Sequence, residues 1–145
     1  MTSTVEKVLF LKSIDLFSQI PGEELARVAL IASEVELENG DVLITEGEIG
    51  DSMYLILEGR IEVTKRGRRI AELGARECVG EMALLDSEPR SATVKALAST
   101  HALKVDREDF YELLNERIDI ARGIIKVLCR RLRRTTAHHP PQESA

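Results

Sequence analysis

The chain has 145 residues, 43% hydrophobic and 31% charged, with a formal net charge of −5. This suffices for one domain, at most with a helical arm, around one core built mostly of Leu, Ile and Val. The acidic balance argues against general nucleic-acid binding, and 3% aromatics without Trp disfavour a base-stacking platform for single strands.

No apolar run is long enough to span a membrane. Met-Thr-Ser-Thr-Val-Glu-Lys lacks the basic-then-apolar layout of a secretory signal, so a cytoplasmic location is expected. Cys78 and Cys129 form no metal or redox spacing and read as reduced thiols. Cys78 lies where modification would matter, but its residue type fits a small buried apolar filler.

Residues 4–12 read as an amphipathic helix, followed by an apolar step at Ile14, Leu16 and Phe17. A second helix starts near Pro21, with Glu23 and Glu24 at its positive end. Leu25, Val28, Ala29 and Ala32 recur at helical spacing, and the helix is expected to end by about Ser33.

The period then changes. Val35 and Leu37 alternate with glutamates, Asn39-Gly40-Asp41 signals a turn, and Val42 to Thr45 form the next strand. A loop with Gly47 and Gly50 follows. Met53 to Leu57 are consecutively apolar, a strand buried on both faces. Turns at Gly59 and Gly67 separate strands at Ile61 to Thr64 and Ile70 to Leu73. Residues 92–97 and 101–105 read as the last two strands.

Asp106 is a candidate N-cap with Asp109 in the first turn, and Phe110, Leu113 and Leu114 face inward. After a bend near Asn115 to Asp119, a final helix runs from about Ile118 to Arg134. Its apolar stripe is Ile118, Ala121, Ile125, Leu128 and Leu132. Gly123 within it costs about 1 kcal/mol relative to alanine and marks a bend or a close approach. The basic end, Lys126, Arg130, Arg131, Arg133 and Arg134, suits a helix carboxyl terminus. Residues 137–145 have no periodicity and are expected to be a disordered tail.

Short strands with glycine turns indicate an antiparallel β-roll of double-stranded β-helix or jelly-roll type, mainly β with flanking helices. The expected bounds are N-terminal helices at about 4–32, the roll at about 34–105 and C-terminal helices at about 107–134, making one domain over 1–136.

One stretch carries chemistry: Val79-Gly80-Glu81-Met82-Ala83-Leu84, a gap, then Arg90-Ser91-Ala92. Gly80 permits a tight backbone or close ligand approach. Glu81 is an acceptor for hydroxyls. The turn after it presents helix-leading amides, which favour anions. Arg90 is a planar fork suited to two oxygens of a phosphate, and Ser91 adds a hydroxyl. A carboxylate for hydroxyls, with an arginine and amides for an anion, describes a sugar phosphate.

This run resembles the phosphate-binding cassette of the cyclic nucleotide-binding domain family. That family includes regulatory subunits of cyclic-AMP-dependent kinase, the catabolite activator protein and cyclic-nucleotide-gated channels. The spacing Leu43-Ile44, Gly47, Gly50, four apolar residues, Gly59 is similar to a second family signature. The resemblance covers about residues 10–134.

It implies that Arg90 and the amides of Ala83 and Leu84 hold a cyclic phosphate, that Glu81 takes the ribose 2′-hydroxyl, and that Ser91 supports phosphate or base. It also implies a base cap from the last helix, with Arg131 first and Leu128 as the apolar alternative. The expected ligand is cyclic AMP rather than cyclic GMP, sensed by movement of the last helix; the alternative is a roll with an orphaned pocket, serving as an interaction module.

No catalytic set, P-loop or metal-ligand pattern appears, and the histidines are only His101, His138 and His139. A cupin-type metal enzyme is therefore not expected, nor is any cofactor. No DNA-reading module is expected within these 145 residues. The apolar stripe of that helix also suits pairing two subunits as a homodimer, and an effector domain or partner protein is expected to read the switch.

Overall fold

The computed structural model describes residues 2–138. Ser3 caps the first helix, α1 (Thr4–Ser13), through a reciprocal box: its hydroxyl accepts from the Glu6 N–H at 3.1 Å, while the Glu6 carboxylate accepts from the Ser3 N–H. A 3-10 turn at Asp15–Phe17 drives Leu16 and Phe17 into the core. Helix α2 spans Gly22–Ile31, ending at Ile31 because Ala32 already has extended geometry.

The strands are β1 (Ala32–Leu37), β2 (Val42–Ile44), β3 (Ser52–Glu58), β4 (Ile61–Lys65), β5 (Arg68–Leu73), β6 (Cys78–Val79), β7 (Thr93–Ala96) and β8 (Thr100–Asp106). They form two antiparallel sheets, ordered β1-β8-β3-β6 and β2-β7-β4-β5. This is the expected β-roll with flanking helices, although helix (43%) exceeds strand (31%) in length. Strand β6 has no periodic signal because it is only two residues long, pairing Val79 with Tyr54 and Cys78 with Leu55.

Central strands β3 and β8 explain why the run at Met53 is continuously apolar. Leu55 and Leu103 are register partners and join the larger core, with Phe17, Phe110 and Leu25 of the helical layer. The next pair, Ile56 and Ala102, faces the opposite way, toward Ile44, Ile61 and Val94 of the second sheet. Each strand is thus buried on both faces.

The helices α3 (Glu81–Asp86), α4 (Arg107–Glu116) and α5 (Ile118–His138) complete the fold. Asp106 occupies the N-cap position of α4 with extended geometry but makes no side-chain cap hydrogen bond; its carboxylate lies 3.8 Å from Lys104 instead. Helix α5 extends past the expected Arg134 to His138, and the rest of the expected tail lies outside the described residues.

The apolar stripe of α5 read from the sequence is present, and it faces solvent while a second stripe packs inward. Ile118, Ile125 and Leu132 are 64%, 56% and 67% exposed, whereas Ile120, Ile124 and Val127 are buried. The helix carries two parallel apolar stripes, and periodicity alone cannot say which packs. Gly123 decides it. A Cβ there would lie 2.8 Å from Ile20 Cγ1 and 2.9 Å from the Gln19 carbonyl, so only this face approaches the segment before α2 so closely.

The joint between α4 and α5 is fixed by charge. Arg117 donates two parallel hydrogen bonds to Glu24 of α2, at 2.9 and 2.7 Å, and Glu24 is 4% exposed. This hydrogen bonding, reinforced by the cations of Arg117 and Arg27, holds the Glu24 carboxyl below its ordinary pKa despite burial.

A depressed carboxyl pKa stabilises the fold above the unfolded-state value, and the contribution is lost as pH falls through the folded value. Glu24→Gln is therefore expected to lower the urea midpoint at pH 7, with the gap from the parent chain closing as pH drops through the carboxylate range. Gly123→Ala gains helix propensity but is expected to lose about 1–3 kcal/mol through overpacking. Thermal melting reads the sign; a stabilised variant would contradict the close approach.

Candidate functional site

The site is built where the loop after β2 meets the segment after α3. An isolated bridge joins Ile49 and Pro89. The Arg90 N–H donates to the Glu48 carbonyl at 2.7 Å, and the Gly47 N–H donates to the Arg90 carbonyl at 2.9 Å. The backbone of Arg90 is thus pinned by a loop about forty residues earlier.

Its side chain runs between two glycines. Nη1 donates to the Gly80 carbonyl at 3.0 Å, and Nη2 donates to the Ser52 carbonyl. A Cβ on Gly50 would lie 2.0 Å from Arg90 Nε, and one on Gly80 2.5 Å from Nη1. Gly80 also has φ +87°, a backbone that side chains disfavour. Both glycines are therefore required by the guanidinium.

Arg90 is 7% exposed, and among the described residues no carboxylate lies within 4.0 Å of it. Burial lowers its pKa from the ordinary arginine value, and Tyr54, Asp51 and Glu81 act against that from a distance. Arginine stays protonated under such a shift, so a charge rests here with carbonyl partners but no adjacent counter-charge.

Glu81 opens α3. Its Oε2 is buried and, among the described residues, is the one buried side-chain polar atom without a hydrogen-bond partner. Buried acceptors of this kind are rare in native folds and call for a missing donor. Arg90 and Glu81 both line a cavity of about 370 Å³, together with Met82, Ser91 and Ala92. Val63, Ala71 and Leu73, from β4 and β5, form an apolar wall. The volume lies within the range of small-ligand pockets, and polar and apolar groups are divided as a nucleotide requires.

Leu84 differs from its expected role. Its side chain is fully buried in the larger core and anchors α3 from below, outside the cavity wall. Its N–H donates to the Gly80 carbonyl at 3.1 Å, closing the first helical turn instead of pointing at a ligand. The N–H groups of Glu81, Met82 and Ala83 precede that bond and have no partner within the helix.

Several site-building residues gave no sequence signal. Tyr111 of α4 donates its hydroxyl toward the Leu84 and Leu85 carbonyls, at 2.6 and 3.0 Å. Arg107 bonds to the Gly50 carbonyl and, at 3.4 Å, to that of Leu84. These tie the carboxyl end of α3 to the start of α4. The wall from β4 and β5 was read only as strands, because Val63, Ala71 and Leu73 have no polar chemistry to mark them.

The expected base caps do not line the cavity. Arg131 is paired with Asp15 of the 3-10 turn, at 3.0 and 3.2 Å, and Leu128 lies on the outward stripe of α5. Arg131 does stand close enough to act electrostatically on Cys78 in the cavity wall. Burial raises the Cys78 thiol well above the ordinary range, and the Glu81 carboxylate adds to the effect. Among the described residues no group of three or more His, Cys, Asp or Glu could hold a metal ion.

A protonated thiol is a poor nucleophile. At pH 8 a disulfide reagent is expected to titrate one fast thiol, the exposed Cys129, and one slow thiol, Cys78. Cys129→Ser should remove the fast phase only; a fast phase surviving in that variant would contradict the assignment.

Comparison with known proteins agrees with this geometry. The family model described as cyclic nucleotide-binding domain matches residues 34–117. The chain is 36% identical over 112 residues to a cAMP-dependent protein kinase regulatory subunit of Yarrowia lipolytica, covering 76% of this chain and 30% of that protein. It therefore spans under a third of that relative's length. Among solved structures, the N-terminal domain of a transcriptional regulator from Streptomyces coelicolor superposes with a TM-score of 0.82 at 32% identity, covering 92% of this chain and 99% of that one. The regulatory domain of Toxoplasma gondii PKA, co-crystallised with cAMP, gives 0.72 at 27% identity over 76% of this chain and 44% of that one. The chain belongs to the cyclic nucleotide-binding domain family.

Proposed function

We propose that this domain binds cyclic AMP in preference to cyclic GMP and reports occupancy through α5. The observation that supports this best is the pair formed by a buried guanidinium with no adjacent counter-charge and a buried carboxylate oxygen with no donor, facing one cavity. The cyclic phosphate supplies the charge for Arg90 and accepts from the leading amides of α3. The ribose 2′-hydroxyl supplies the donor for Glu81. The base lies against Val63, Ala71 and Leu73, with Ser91 between phosphate and base. A relative solved with cAMP favours that base.

Reporting follows from what surrounds α3. Arg90 and Glu81 hold the two ends of the ligand, and Tyr111 and Arg107 couple α3 to α4. A bound base offers Arg131 and the end of α5 a new surface, in exchange for Asp15. The movement is limited by the difference in ligand affinity between the two helix positions. A neighbouring domain or partner reads it, and the domain itself performs no catalysis.

A charge-assisted contact contributes roughly 1.5–3 kcal/mol, so Arg90→Ala is expected to weaken cyclic AMP binding about 10- to 100-fold or more by calorimetry. Unchanged affinity in a variant that melts normally would refute the assignment. Glu81→Gln is expected to weaken cyclic AMP binding while leaving 2′-deoxy cyclic AMP nearly unaffected. Equal losses for both ligands would place Glu81 elsewhere.

A further inference from the structure

Helix α5 has three faces. Ile120, Gly123, Ile124, Val127 and Arg131 turn inward, onto the core and Asp15. The outward apolar residues follow a heptad: exposed Ile118, Ile125 and Leu132 occupy one position of it, and half-buried Ala121 and exposed Leu128 the other. One step further round lie Asp119, Arg122, Lys126 and Arg133, all exposed, with Cys129 in the same row. No described carboxylate lies within 4.0 Å of these three cations. Beyond Asp119, the helix contains no acidic residue.

The two outer rows constrain what can cover them. A narrow stripe of alternating three- and four-residue steps is a coiled-coil seam, whereas an interfacial helix carries a wide apolar face, commonly with Trp or Phe. Helix α5 has no aromatic residue. A second copy of the chain fits the seam but not the flank. In a parallel pair, the row of Arg122 and Lys126 meets the side bearing Arg131; in an antiparallel pair, the two cationic rows share one edge. The antiparallel pair sets cations together, and the parallel pair sets them opposite Arg131, whose carboxylate partner Asp15 is already engaged, so neither offers the row an acidic flank.

We propose that the seam of α5 docks an amphipathic helix of a partner protein with apolar heptad positions and acidic flanks. The inference does not rest on the ligand reading, since neither row lines the cavity. Partner docking and ligand-driven movement of α5 would be linked, because both act on one helix.

The test uses the full chain and synthetic three-heptad peptides with Ile and Leu in the seam. One peptide has Glu on its flanks and the other Lys. The acidic peptide is expected to bind, measured by fluorescence anisotropy, and to weaken with added salt. The basic peptide is expected not to bind. Reversing Arg122, Lys126 and Arg133 to Glu together should weaken the acidic peptide about tenfold or more, because three exposed pairs are lost and repulsion is added. Ile125→Ser with Leu132→Ser should abolish binding. All these positions are exposed, so unchanged melting verifies the fold.

The proposal is overturned if the acidic peptide fails to bind at about 1 mM, a free energy near −4 kcal/mol. It is also overturned if both peptides bind equally. Sedimentation as a dimer that the seam variant dissolves would assign the seam to a second copy. Binding to phosphatidylserine vesicles, lost in the cation-reversal variant, would assign it to a membrane surface.

Discussion

A buried positive charge without a neighbouring negative one organises this molecule. Arg90 is almost fully enclosed, and among the described residues its guanidinium bonds only to the Gly80 and Ser52 carbonyls. Carbonyl dipoles compensate a desolvated cation incompletely, and a protein that held it for stability alone would place a carboxylate beside it. Glu24 and Arg117 show that alternative in the same chain, as a two-pronged pair joining α2 to the α4–α5 joint. The contrast separates the two arginines physically: one completes a structural pair, and the other is left with carbonyl partners and no adjacent counter-charge.

The rest of the fold makes that charge possible. Two sheets packed through Ile56, Ile61 and Val94 hold the β2–β3 loop and the segment after α3 in register. The carbonyls of Glu48 and Ser52 then reach Arg90 from one side, and Gly80 from the other. Leu84 fixes α3 to the helical layer, so Glu81 is presented by a rigid element. Tyr111 and Arg107 receive the far end of α3 and connect it to α4. The ligand cavity and the helices are therefore parts of one packed structure, with no flexible linker between them.

Legibility from sequence followed the kind of signal each residue carries. Gly80, Glu81 and Arg90 could be read because their chemistry is local and their spacing distinctive. The strands could be read because glycine turns punctuate alternating runs, but β6 could not, since a two-residue strand has no period. The Leu84 amide was read as a phosphate donor, whereas it closes the first turn of α3 on the Gly80 carbonyl: a motif shows which residues sit together, not which N–H groups the helix itself uses. Tyr111 and Arg107 were invisible because their role is long-range contact with backbone carbonyls. The inward stripe of α5 was not read because two stripes share one period, and the choice between them lay with the approach of Gln19 and Ile20 to Gly123.

That last outcome gives α5 two roles to reconcile. One face closes the domain through Ile120, Ile124 and the Arg131–Asp15 pair, while another offers solvent a seam and a cationic edge. An exposed ion pair contributes little stability, so Arg131 can change partners at small cost. The direct probe of the account's centre is the guanidinium itself, observed through its side-chain Nε–H signal in nitrogen-15 spectra. Cyclic AMP is expected to shift the Arg90 signal strongly and leave that of Arg117 in place, whereas adenosine, lacking the phosphate, leaves both unmoved. Saturation with cyclic AMP that left the Arg90 signal unchanged, or an equal shift with adenosine, would contradict the account.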